Sequence, residues 1–139
     1  KITTAVDMLF IDRGAKDAAS NAVNGISQYL KNNRNVTIFP EGTSSGGKEL
    51  LKFKPRLFAS CIEANCPVQC VVIKYPYKNQ KIHPSVPFIR RNNLFFNILK
   101  VLYRDDIVVE VKIVDLIDTK DKNRKEISSE CYEIVKNNI

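Results

Sequence analysis

A chain of 139 residues with 44% hydrophobic and 27% charged residues is long enough for one compact unit and too apolar to remain disordered. Its 22 Lys and Arg against 15 Asp and Glu give a net charge of +7, which favours anionic partners, yet there is no basic block and no strand-like segment in which aromatic residues interleave with cations, so nucleic acid is not expected. No apolar run approaches the roughly 18–20 residues that cross a bilayer, and Cys61, Cys66, Cys70 and Cys131 form no CxxC pair, so reduced structural thiols and no metal site are expected.

In chain order, residues 8–11 form a short apolar run closed by Asp12, Arg13 and Gly14, which suits a buried strand opening into a loop. From Ala15 the apolar positions Ala18, Ala19, Ala22, Val23, Ile26, Tyr29 and Leu30 follow helical spacing up to Asn32 and Asn33. Residues 36–39 read as a second buried strand that Pro40 ends, because proline cannot donate to a ladder. Strand, helix, strand implies a right-handed crossover, and hence an α/β unit with a mostly parallel central sheet flanked by helices. Pro55 suits the first turn of a helix facing inward with Leu57, Phe58, Cys61 and Ile62, and residues 68–73 read as a strand buried on both faces. A long loop is expected over 75–93, then a helix over 94–103 that is apolar over most of its circumference. It can pack on the sheet, or lie in a membrane interface with Arg90, Arg91 and Arg104 at the head groups. Residues 107–114 alternate, with Ile107, Val109, Val111 and Ile113 opposite Glu110 and Lys112, and the last helix, over 122–138, carries Ile127, Cys131, Ile134 and Val135 on one stripe.

Two loops that each follow a strand and precede a helix carry the chemistry, at the place where open α/β sheets bind ligands. In the first, Arg13 offers a planar fork to a phosphate and Asp12 can hold it, although an Asp/Arg pair at a strand end can also be merely structural. In the second, Glu41-Gly42-Thr43-Ser44-Ser45, Gly42 admits a close ligand, the hydroxyls can donate, and Lys52 and Lys54 stand before the helix start at Pro55. Residues 42–48 also fit the opening of a G-x-x-x-x-G-K loop, but the next residue is Glu49 where a magnesium-binding Ser or Thr is required, which excludes that nucleotide site.

Taken in order, these segments resemble the glycerolipid acyltransferase family, which includes 1-acylglycerol-3-phosphate acyltransferases. Phe10-Ile11-Asp12-Arg13 is similar to its second motif and Phe39-Pro40-Glu41-Gly42-Thr43-Ser44-Ser45 to its third, F-P-E-G-T-R-S, with Ser44 where many members carry arginine. Lys52-Phe53-Lys54 is similar to the basic segment that follows, and residues 67–73 to the proline-led fourth motif. The first motif, H-x-x-x-x-D, is not in this sequence: the one histidine, His83, has Phe88 five positions on, lies in a Pro- and Lys-rich loop, and is expected to be a plain surface residue.

The resemblance implies that residues 1–139 are the later part of a single acyltransferase domain carrying motifs two to four, with no catalytic residue of its own. The complete enzyme would move a fatty acyl group from a thioester, acyl-CoA or acyl-carrier protein as co-substrate with no other cofactor, to a lysophospholipid. Arg13 and Lys54 would hold the acceptor phosphate, and Glu41, Gly42, Thr43 and Ser44 would shape the loop beside it. A membrane-associated position on the cytoplasmic face is implied. The alternative is a non-catalytic module that binds phosphorylated lipid. Nothing in the sequence sets an oligomeric state.

Overall fold

The computed structural model describes residues 17–80, 82–88 and 93–139. The first helix, α1 (Ala18–Lys31), turns a stripe of Ala22, Val23, Ile26 and Ser27 inward, and that stripe packs on a 3-10 turn at Pro55–Phe58 and on the short helix that continues it, α2 (Ala59–Glu63). Asn33 ends α1 in the left-handed region at φ 57°, a conformation that asparagine tolerates better than other side chains. The expected helix is thus present, with Ala15 outside the described residues.

Strand β1 (Val68–Lys74) pairs antiparallel with β2 (Glu110–Ile117), from Val68 opposite Ile117 to Lys74 opposite Glu110, with an irregularity between Gln69 and Val71. Between them lies α3 (Leu94–Leu102), and α4 (Arg124–Lys136) follows β2. Helix α4 starts at a reciprocal cap: the Asn123 side chain accepts from the Lys125 and Glu126 amides, and the Glu126 carboxylate accepts the Asn123 N–H at 2.8 Å.

One core joins these elements. Ile127 and Cys131 of α4 meet Cys70 of β1, Ile117 of β2, and Phe58 and Cys61 of the 3-10 turn and α2. Ile127 is completely buried, worth about 1.5–3 kcal/mol of hydrophobic transfer. Thr119 donates its hydroxyl to the Cys66 carbonyl at 2.9 Å, tying the end of β2 to the entry of β1. All four cysteines are free thiols, as expected. Burial, aided by the neighbouring Cys66, pushes the Cys61 thiol up to about 11. Cys131 donates to Cys70, which lowers the Cys70 thiol against the opposing effect of its burial and raises Cys131.

Several expectations need correction. The sheet among the described residues is two-stranded and antiparallel, not parallel. Residues 36–39 form no strand among the described residues, and the strand expected at 8–11 lies outside them. Strand β1 is buried on one face only: Cys70 and Val72 point at the core, while Val71 and Ile73 are 42% exposed. Strand β2 begins three residues later than its alternation suggested, because its register with β1 stops opposite Lys74, just short of Pro76. Its apolar face is the outer one, with Val111 and Ile113 well exposed, because α4 covers only the opposite side. Ile62 is likewise more exposed than its helical spacing implied.

Candidate functional site

The loop over residues 39–54 is closed on itself by short bonds. The chain turns at Pro40, where the Gly42 amide donates to the Phe39 carbonyl at 3.1 Å, and returns where the Lys54 amide donates to the Pro40 carbonyl at 2.9 Å. Across the loop the Glu41 carboxylate accepts the Leu51 amide at 3.0 Å. Glu41 therefore pins the loop from within, and its charge is directed at a backbone donor.

Gly42 decides where Lys54 can lie. Its φ of +68° is in the left-handed region, and a Cβ there would stand 3.0 Å from Lys54 Nζ and 3.1 Å from Lys54 Cδ. The lysine side chain thus runs directly over the glycine, and the lack of a Cβ is what admits it. Thr43 and Ser44 are exposed beside this pair, and Ser45 accepts the Gly47 amide at 3.1 Å. Glu41, Gly42, Thr43, Ser44 and Lys54 therefore share one exposed loop, with a cation, hydroxyls and a bare backbone surface suited to an oxyanion. Arg13 lies outside the described residues. The residues that mimic a nucleotide-binding loop form bends that continue into an extended segment, with no helix at Glu49.

His83 is not a surface residue. It is fully buried, edge-on to the Tyr77 ring at 4.4 Å between centroids. Its Nδ1 accepts the Ser85 amide at 3.1 Å, which fixes that nitrogen as unprotonated. Its Nε2 faces Asp106 Oδ1 at 3.4 Å, near enough for electrostatic attraction but not aligned as a hydrogen bond. Sequence reasoning missed this carboxylate because it is 23 positions away, brought back only by the turn after α3. Arg104 grips the same carboxylate with two bonds of 2.9 and 2.8 Å. Desolvation raises the Asp106 carboxyl, but the bonds and charge of Arg104 outweigh it and the net shift is downward. The stability this contributes is full above the ordinary carboxylate range and is lost as pH falls through the lower folded value. With Nδ1 holding a backbone amide and Nε2 buried near Asp106 without a hydrogen bond, His83 is a structural latch that presents neither nitrogen to solvent.

An acyltransferase family model matches residues 1–74, which include the whole loop, Lys54 and β1. The chain belongs to the glycerolipid acyltransferase family. It is 32% identical to a lyso-ornithine lipid O-acyltransferase of Pseudomonas aeruginosa over 129 residues, 92% of this chain and 49% of that protein. It is 26% identical to a 1-acyl-sn-glycerol-3-phosphate acyltransferase of Haemophilus influenzae over 136 residues, 94% of this chain and 48% of that protein. A Neisseria gonorrhoeae protein of the latter name is 34% identical over 67 residues, 48% of this chain and 26% of the relative. The chain spans about half the length of the first two relatives. No solved structure matches it significantly.

Two outcomes are expected from this geometry. Gly42→Ala should destabilise the fold by ~1–2 kcal/mol in urea unfolding, since alanine resists the left-handed region, and should displace the Lys54 ammonium, read as loss of phosphate-induced shifts of its side-chain NMR signals. His83→Asn should cost ~2 kcal/mol, as expected for a buried ring that loses its packing; unchanged urea unfolding would contradict the latch.

Proposed function

We propose that the chain forms the acceptor-binding part of an O-acyltransferase, the later part of a single acyltransferase domain carrying motifs two to four. The reaction would move a fatty acyl group from acyl-CoA or acyl-carrier protein to the free hydroxyl of a lysophospholipid such as 1-acylglycerol-3-phosphate. The observation that carries this reading is the Lys54 ammonium seated over Gly42 in a doubly closed loop within the matched segment. Such a cation, fixed on a bare stretch of backbone, suits the acceptor's phosphate and would orient its hydroxyl toward the thioester. Arg13 would provide a second, bidentate contact, and Thr43 and Ser44 the hydroxyl donors.

Chemically, the acceptor oxygen attacks the thioester carbonyl, a base takes its proton, and the thiolate leaves and is reprotonated. His83 is fully buried and its Nδ1 holds the Ser85 amide, so the base would be the histidine of the family's H-x-x-x-x-D motif in the full-length protein. The burial of this histidine leaves a second reading, a module that binds phosphorylated lipid without catalysis. Acyl transfer by the full-length protein separates the two.

A seat on the cytoplasmic face of a membrane is part of the same proposal, and the exposed apolar side chains of α3 favour the membrane contact. No residue of α3 is buried, and Leu94, Phe95, Phe96 and Leu102 are each more than half exposed. Asn93 caps the helix by accepting the Phe95 amide at 2.9 Å, and no side chain of the helix is fully buried. Lys100 and Arg104 lie at its C-terminal end, where cations suit anionic head groups. The expectation that α3 packs on the sheet is not met, since it makes no substantial contact with another element among the described residues. No described helix is long and apolar enough to cross a membrane.

In the full-length protein, Lys54→Met and Arg13→Ala should each raise KM for lysophosphatidic acid at least several-fold in a steady-state acyl-transfer assay. An unchanged KM for Lys54→Met would remove the loop from the acceptor site. Phe95→Asp combined with Phe96→Asp should abolish sedimentation with anionic liposomes while leaving the circular dichroism spectrum intact; retained sedimentation would eliminate α3 as the membrane contact.

A further inference from the structure

Beside the loop, and separate from it, a hollow of about 290 Å³ is lined by Pro55, Arg56, Arg124 and Lys125. It has walls from two places far apart in sequence, the start of the 3-10 turn and the start of α4. No carboxylate lines it. None of its three cationic side chains has an ion-pair or hydrogen-bond partner among the described residues.

The carboxylates of α4 are occupied elsewhere. Glu126 holds the Asn123 amide in the cap, Glu130 pairs with Lys122 at 2.6 Å, and Glu133 faces Lys136 at 3.6 Å. All three cationic residues are exposed, and like charges left side by side repel. Their backbones nonetheless hold the two chain segments next to each other. Pro55 restricts the first residue of the turn, the reciprocal cap fixes the first turn of α4, and α4 is fastened to the segment before the turn twice. Ser128 donates its hydroxyl to the Phe53 carbonyl at 3.3 Å, and the Phe53 and Tyr132 rings meet edge-on at 5.5 Å. The Lys125 and Glu126 amides of α4 are taken up by the Asn123 side chain, so an anion here is held chiefly by side chains.

We propose that this hollow is a second anion site, for a diphosphate or two adjacent phosphate esters. Two guanidinium groups supply planar forks that match phosphoryl oxygens, and the Lys125 ammonium supplies a third positive charge. The volume is at the small end for ligand sites, so it fits the phosphorylated part of a molecule and leaves the remainder outside. The assignment stands on these residues alone and does not require the acyl-transfer reading.

The test is calorimetric titration of the full-length protein with inorganic pyrophosphate, with circular dichroism to confirm folding of each variant. Arg56→Gln combined with Arg124→Gln should weaken binding at least ten-fold. Lys112→Gln combined with Lys136→Gln removes the same charge at positions that do not line the hollow and should change it less than two-fold. Equal loss in both pairs, or no pyrophosphate binding by the unaltered chain, overturns the site. Two further titrations identify the source of the phosphates. Coenzyme A binding that weakens ten-fold in the Arg56/Arg124 pair, while pantetheine does not bind, assigns a soluble phosphorylated ligand. The same ten-fold loss only on phosphatidylcholine vesicles carrying phosphatidic acid assigns a lipid head group. Insensitivity of both to the pair contradicts the proposal. Acyl transfer by the full-length protein is measured separately, so loss of that activity reading leaves this result standing.

Discussion

The packing of α4 across the inner face of the two strands is the constraint on which the other features rest. Ile127 and Cys131 enter the space between β1, β2 and the 3-10 turn, and the same helix reaches back to Phe53 through Ser128 and Tyr132. One apolar stripe thereby closes the core and fixes the segment that delivers Lys54 to its loop. The hydrogen bond from Lys54 to Pro40 then transmits that position to the glycine turn. The cap at Asn123 matters for the same reason: it sets where the helix begins, and so where its first residues stand relative to Arg56.

Charge is distributed unevenly over this scaffold. Several acidic side chains are consumed by structure, with Glu41 on a loop amide, Glu126 in a cap, Glu130 on Lys122 and Asp106 between Arg104 and His83. Lys54 is exposed on its loop, and Arg56, Arg124 and Lys125 are exposed around the hollow. The net charge of +7 is therefore felt where carboxylates have been withdrawn, which is the arrangement that concentrates phosphorylated ligands.

Apolar surface is uneven too. The outer face of the sheet shows Val71, Ile73, Val111 and Ile113, and α3 buries nothing. Contiguous apolar surface of this kind costs solubility and marks a contact face in natural proteins. A lipid surface with basic residues at its edge meets the requirement at α3. On the sheet, β2 has no strand beside it other than β1 among the described residues, and it carries Glu110, Lys112 and Asp115, charges that discourage further pairing.

The sequence by itself determined the helices at 18–31 and 124–136, the position of β1 between its two prolines, the free cysteines, and the glycine turn at Gly42. These are local matters: helical period, proline's missing donor, and a turn that needs glycine are all written within a few positions. Strand direction, the exposed side of β2, the bare α3, the burial of His83 against Asp106 and the hollow between Arg56 and Arg124 were decided only in three dimensions. An alternating strand records that its two faces differ but not which one a helix will cover. A histidine in a polar loop records nothing of a carboxylate that reaches it only after an intervening helix. Each of those outcomes depends on how distant segments meet, and packing of α4 on the sheet is what brings them together.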